Sequence, residues 1–127
     1  MVAKEKGVSD LFCDGAPVDV AKHEFTLSLA PMKEKMGIGA MDVAKGLLDK
    51  GYMAPTVYFP LVVPECMMIE PTETESKDTL DEFAKKFVEV LQEDADTLHN
   101  APVTTKVRRV DEVYAARNLT LSYQFSE

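Results

Sequence analysis

The chain's 127 residues are enough for one domain that buries roughly two thirds of its unfolded surface. A formal net charge of −8 argues against nucleic acid, whose phosphates need clustered Lys and Arg, and 46% hydrophobic with 28% charged residues is the balance of a soluble globular fold. No apolar run approaches a membrane span, and no apolar core of a secretory signal follows Lys4-Glu5-Lys6-Gly7, so the cytoplasm is the default and no membrane is expected.

Residues 1–22 have little periodicity. With a turn signal at Asp14-Gly15-Ala16-Pro17, they read as an N-terminal extension that wraps the surface or is partly irregular, ahead of a single small domain at 23–127. Phe25–Leu29 alternates apolar and polar residues, the pattern of a half-buried strand. His23-Glu24 stands at its entrance, on the plainer reading as an ordinary exposed pair. Two histidines far apart and two cysteines give no metal-ligand spacing and no disulfide framework, so no metal is expected. Gly37-Ile38-Gly39 is a loop; without a following Gly-Lys-Ser/Thr it is not a phosphate cradle. Ala40–Lys50 carries a helical stripe of Val43, Ala44, Leu47 and Leu48, with Gly51 placed to end it in a left-handed conformation. Thr56–Phe59 is a short strand bracketed by Pro55 and Pro60, and Leu61-Val62-Val63 a buried connection or edge before Pro64.

Cys66–Ile69 is too short for a helix and reads as a buried strand, with Cys66 a small hydrophobe in it. Pro71 ends its pairing, and Ser76 is an N-cap candidate for a helix over Lys77–Asp96 whose inner face is Leu80, Phe83, Phe87 and Leu91. Its outer face holds Asp81 with Lys85 and Glu82 with Lys86 at i,i+4 spacing, a solvated face rather than a catalytic cluster. The polar corner between, Glu70 to Ser76, is either a place for function, where N–H groups face outward, or an ordinary strand-to-helix connection. The arginines all lie late, at Arg108, Arg109 and Arg117: they pair with the acidic surface, or they supply a carboxylate or phosphate fork. Asp111–Ala116 reads as a short helix and Leu119–Tyr123 as a last alternating strand. The fold class is α+β, an α/β sandwich with a small mixed or antiparallel sheet and helices on one face.

Four strings carry a resemblance: His23-Glu24-Phe25; Asp42 to Asp49; Ile69 to Ser76 (Ile-Glu-Pro-Thr-Glu-Thr-Glu-Ser), preceded by Ala54 to Glu65; and Arg108-Arg109-Val110-Asp111-Glu112-Val113. In this order, over about residues 22–123, they resemble the C-terminal region of glycine dehydrogenase (decarboxylating), the P-protein of the glycine cleavage system, in its subunit 2 form. The resemblance implies the C-terminal small domain of a fold-type-I, pyridoxal-phosphate-dependent enzyme that decarboxylates glycine and passes the aminomethyl group to a lipoyl carrier protein (H-protein). None of the 11 lysines stands in a stretch like the family's cofactor-binding His-Lys motif. No catalytic residue is therefore assigned to this chain, no pyridoxal phosphate is expected to bind it alone, and it should be inactive by itself. The cofactor is expected in the full enzyme, on a pyridoxal-phosphate-binding domain or subunit that is this chain's partner.

Small domains of this class often contribute an arginine for the substrate carboxylate, but the equivalent strand here, Met67 to Glu70, has none, and that role is not carried over. The resemblance instead points to His23, Glu24, Glu70, Thr72, Glu73 and Thr74 as a wall facing the cofactor domain. The competing reading is a stand-alone module that binds a small molecule or forms a homodimer without catalysis; a remnant without function is a third. An orphaned small domain should expose a large apolar patch or cover it by self-association, and a stand-alone module should have a polar surface with one pocket.

Overall fold

The computed structural model describes residues 23–123, so the expectations for residues 1–22 lie outside it. Three short strands, β1 (Phe25–Ser28), β2 (Thr56–Val57) and β3 (Cys66–Ile69), form one antiparallel sheet in the order β1-β3-β2. β3 is central because it is apolar throughout and free of proline, so both its edges can donate and accept. Phe25 lies opposite Ile69 and Ser28 opposite Cys66; on the other side Thr56 faces Met68 and Val57 faces Met67.

β2 stops two residues short of the expected Phe59. Tyr58 adopts a left-handed φ of 60°, although its N–H still reaches Cys66 O at 2.8 Å, and Pro60 has no N–H to offer. The segment Leu61-Val62-Val63 is not the buried connection its apolarity suggested: Leu61 and Val62 are each 87% exposed. The prolines on either side shape a turn that swings these side chains away from the sheet.

Five helices accompany the sheet. α1 (Ala30–Met36) was not expected: at seven residues it is too short to show a stripe, and Pro31 looks like a breaker. Pro31 occupies the first turn, where a missing N–H costs nothing, and Gly37 (φ 75°) closes the helix with its N–H on Lys33 O at 2.9 Å. α2 (Ala40–Asp49) matches its stripe, with Gly51 at φ 85° just beyond it. α3 (Lys77–Leu91) begins as expected at Ser76, whose Oγ accepts the Thr79 N–H at 3.1 Å. It ends at Leu91 rather than Asp96, because Asp94 starts a new helix, α4 (Ala95–Asn100). The Asp94 carboxylate accepts the Thr97 N–H at 2.9 Å and the Thr97 hydroxyl at 2.7 Å. On the solvated face of α3 the ion pairs are Lys77 with Asp81 and Lys86 with Glu89, not the expected Asp81–Lys85 and Glu82–Lys86. α5 (Glu112–Arg117) is capped by Asp111, which accepts the Tyr114 N–H at 2.8 Å. The expected strand at Leu119–Tyr123 is absent among the described residues. Leu121 is 89% exposed, and the alternation alone does not make a strand without a second segment in register.

α2 is the element around which the core closes, packing against α3, α4 and β2. Val43, Ala44 and Leu47 meet Met67 and Ile69 from the sheet, Phe87, Val90 and Leu91 from α3 and Leu98 from α4. The close approach depends on Gly46: a Cβ there would lie 2.8 Å from both Leu98 Cδ2 and Val90 Cγ1. Tyr52, Phe83 and Phe87 extend the core outward, with the Tyr52 and Phe83 rings edge-on at 5.5 Å.

Candidate functional site

The antiparallel register gathers the polar residues singled out in the sequence at one end of the sheet. β1 runs from Phe25 opposite Ile69, so the next step outward sets Glu24 beside Glu70, and Pro71 turns the chain into Thr72, Glu73 and Thr74. All six candidate residues are exposed. The His23 side chain is 81% exposed, and its Nε2 lies 3.8 Å from Glu24 Oε2. The Thr72 and Thr74 hydroxyls share a hydrogen bond at 3.0 Å. Among the described residues no ion pair reaches Glu70 or Glu73. The corner is therefore an acid-rich, hydrated rim that can accept hydrogen bonds or take a cation, but it holds no nucleophile beside a base. At the opposite end of β3, burial pushes the Cys66 thiol up, away from reactive thiolate.

A second polar assembly, built from residues far apart in the chain, lies at the N-terminus of α2. Asp42 sits three residues past Gly39, where a carboxylate can turn back on the helix start, and its Oδ2 accepts the Gly39 N–H at 2.9 Å. Its Oδ1 takes Arg109 Nη2 at 2.8 Å and lies 3.4 Å from His99 Nδ1. Arg109 also donates from Nε to Ala101 O and from Nη2 to Leu98 O, both at 2.8 Å, tying the end of α4 to the start of α2. Burial alone would raise the Asp42 carboxyl; the Gly39 N–H, the Arg109 guanidinium and His99 outweigh it and hold the group below its ordinary value. Of the two readings of the arginines, neither fits Arg109 fully: its partner is a buried acid rather than the acidic surface, and its donors are occupied by its own chain rather than open as a substrate fork. The N3 position of Asp42 was a legible signal; nothing local marked Arg109 or His99 as its partners.

At the other end of α2, Asp49 accepts the Val103 N–H at 2.8 and 2.9 Å, the Thr104 N–H at 2.8 Å and the Thr104 hydroxyl at 2.7 Å. Burial works against its charge, and these donors together with Arg108 win, holding the carboxyl below its usual value. A carboxylate at a helix C-terminus opposes the dipole, so the four contacts offset that penalty as well. Arg108 in turn donates to Asn100 O and, at 3.3 Å, to Pro102 O.

The N-terminal donors of α2 have no vacancy for an external anion. Gly39 N–H is on Asp42, and Ala40 N–H is on Glu65 Oε2 at 2.8 Å. Glu65 reaches this point from a left-handed backbone (φ 47°), a conformation that costs about 1–2 kcal/mol and is held by Leu29 N–H on its own carbonyl at 2.9 Å. Burial and the Glu65 charge push the Tyr58 phenol up against the opposing Met41 N–H. Beside this assembly, a cleft of about 310 Å³ opens between Met41 and Lys45 of α2 and the segment Arg109–Val113.

Two exposed apolar stretches flank these polar sites: Met53, Phe59, Leu61 and Val62 on one side of the chain order, and the segment from Val103 to Leu121 on the other. Among the described residues no helix is long and apolar enough to cross a membrane, and no group of His, Cys, Asp or Glu side chains converges as a metal site.

The chain is similar to known proteins over most of its length. The model of the family described as glycine dehydrogenase, C-terminal domain, matches residues 9–113. A protein of Nitrosospira multiformis named probable glycine dehydrogenase (decarboxylating) subunit 2 is 56% identical over 107 residues, 82% of this chain and 21% of that protein. Proteins of the same name from Thiobacillus denitrificans and Exiguobacterium sibiricum are 51% and 50% identical, over 85% and 98% of this chain and 23% and 25% of their own lengths. The chain thus spans about a quarter or less of the relatives it matches. With half its residues shared and the α+β architecture in place, it belongs to the glycine dehydrogenase C-terminal domain family.

Proposed function

We propose that this chain serves as the C-terminal domain of a pyridoxal-phosphate-dependent glycine decarboxylase of the cytoplasm, with residues 23–127 as the domain and 1–22 as its extension. The observation that carries the reading is the identity of 50–56% to subunit 2 proteins over a stretch that is 21–25% of each. In this reading glycine loses its carboxyl group as CO2 and the aminomethyl group goes to a lipoyl carrier protein. When bound, pyridoxal phosphate supplies the electron sink for breaking the bond to the carboxyl group.

The residues of the corner do not fit that cofactor. A phosphate is held by cations and clustered N–H donors, whereas this rim presents Glu24, Glu70 and Glu73 and no Lys or Arg. The cofactor is therefore assigned to the rest of the enzyme, on a cofactor domain or a partner subunit, and no chemical step runs through this chain. His23, Glu24, Glu70, Thr72, Glu73 and Thr74 act as a wall toward that domain, excluding bulk water and accepting hydrogen bonds from it. The exposed Leu61, Val62 and Leu121 support a domain that has a neighbour over a stand-alone binding module with a polar surface.

The test has two parts. The 127-residue chain is titrated with pyridoxal phosphate while absorbance is followed with and without glycine; no saturable band is expected. The same sequence then replaces the matched 107 residues of the Nitrosospira protein, and the graft is assayed for glycine decarboxylation together with the other subunit. Retained activity supports the reading. A glycine-sensitive band in the isolated chain, or a folded but dead graft, overturns it.

A further inference from the structure

We propose that residues 103–123 form a docking arm whose apolar outer side is covered by the large upstream part of a glycine dehydrogenase subunit 2, the polypeptide that carries this domain in the relatives. The inference rests on the function proposed above and names a second contact surface, distinct from the polar corner.

The arm has a fastened root and an unclothed outer side. Asp49 holds Val103 and Thr104, and Arg109 is clamped between Asp42 and the carbonyls of Leu98 and Ala101. Beyond that point α5 buries none of its side chains, and Val110, Val113, Tyr114, Leu119 and Leu121 are all exposed. A six-residue helix is far below the length that sustains itself in water, so α5 requires packing that the described residues do not supply. The cleft of about 310 Å³ opens beside Val110 and Val113, the size of a seat for a partner's side chain.

What covers the arm follows from length. In the relatives three quarters or more of the polypeptide lies outside the matched stretch, a neighbour tethered to this domain. A tethered surface acts at an effective concentration of order millimolar, which a free second copy does not reach.

Amide hydrogen exchange compares the isolated 127-residue chain with the graft in the Nitrosospira protein. The arm amides should exchange at least tenfold more slowly in the graft. The double variant V110D/V113D should remove most of that slowing while leaving the isolated chain's melting temperature unchanged. If the arm does not slow but the corner or the 53–62 loop does, the arm proposal is overturned and the functional reading stands. If nothing slows, both fall. Slowing that survives V110D/V113D overturns the arm as the contact, and an arm already slow in an isolated chain of doubled mass assigns it to a second copy instead.

Discussion

Two carboxylate-rich regions of this molecule behave in opposite ways. At the start of α2, Asp42 is buried and its oxygens are filled by Gly39 and Arg109, with His99 close by. At the end of the sheet, Glu24, Glu70 and Glu73 stand exposed, and among the described residues no ion pair reaches Glu70 or Glu73. The same chemical group thus serves two ends. A carboxylate satisfied by its own chain is committed to the fold, whereas a hydrated row of carboxylates is available to something else.

The sharpest way to break the comparison is to remove the buried acid. Asp42→Ala deletes a helix cap and strands Arg109, and should lower stability by about 3 kcal/mol, the low end for a broken buried pair because Arg109 is partly exposed. Asp42→Asn keeps an acceptor for Gly39 and should lose about half as much. Denaturant titration reads both; equal losses would mean that the charge, not the cap, does the holding. Next in size is Gly46→Ala, about 2 kcal/mol, since the added methyl meets Leu98 and Val90 and the helices must part. An unchanged melting temperature there would show that α3 and α4 yield without strain.

These positions also mark the limit of what the sequence discloses. β1, α2, β3 and the start of α3 were legible because their signals are local: alternation at 25–29, a stripe at 43–48, a serine cap at 76. α1 hid behind Pro31, and the break between α3 and α4 behind an apolar period that Asp94 interrupts by capping Thr97. Leu119–Leu121 alternates like a strand but forms none, and pairing is a property of two segments rather than one. The polar corner was legible as a set because each member adjoins a strand end. The Asp42–Arg109 bond joins residues 67 positions apart, and no local pattern encodes that meeting.

Acid offers a graded test of the same contrast. Asp42 and Asp49 both titrate below their ordinary value when folded, so the unfolded chain binds protons first as pH drops. Their contribution is complete above about pH 5 and is lost as pH falls from about 4 through the depressed folded values. The denaturant midpoint should therefore decline in that window, and the decline should be shallower for Asp42→Asn. Identical slopes would remove Asp42 from the account, since the exposed Asp81 and Asp94 titrate alike in both proteins.

The smallest stability effect belongs to the corner, and there the smallness is informative. Glu70→Gln and Glu73→Gln remove charges that no described ion pair uses, so the isolated chain should change by less than about 0.5 kcal/mol. A larger loss would show that the rim serves the fold, as Asp42 does. In the graft the same pair of substitutions should lower glycine decarboxylation while leaving the melting temperature of the isolated chain where it was. That split separates a wall which another domain must meet from a rim of solvated acids, because only a residue with a partner outside this chain can be silent in stability and costly in turnover.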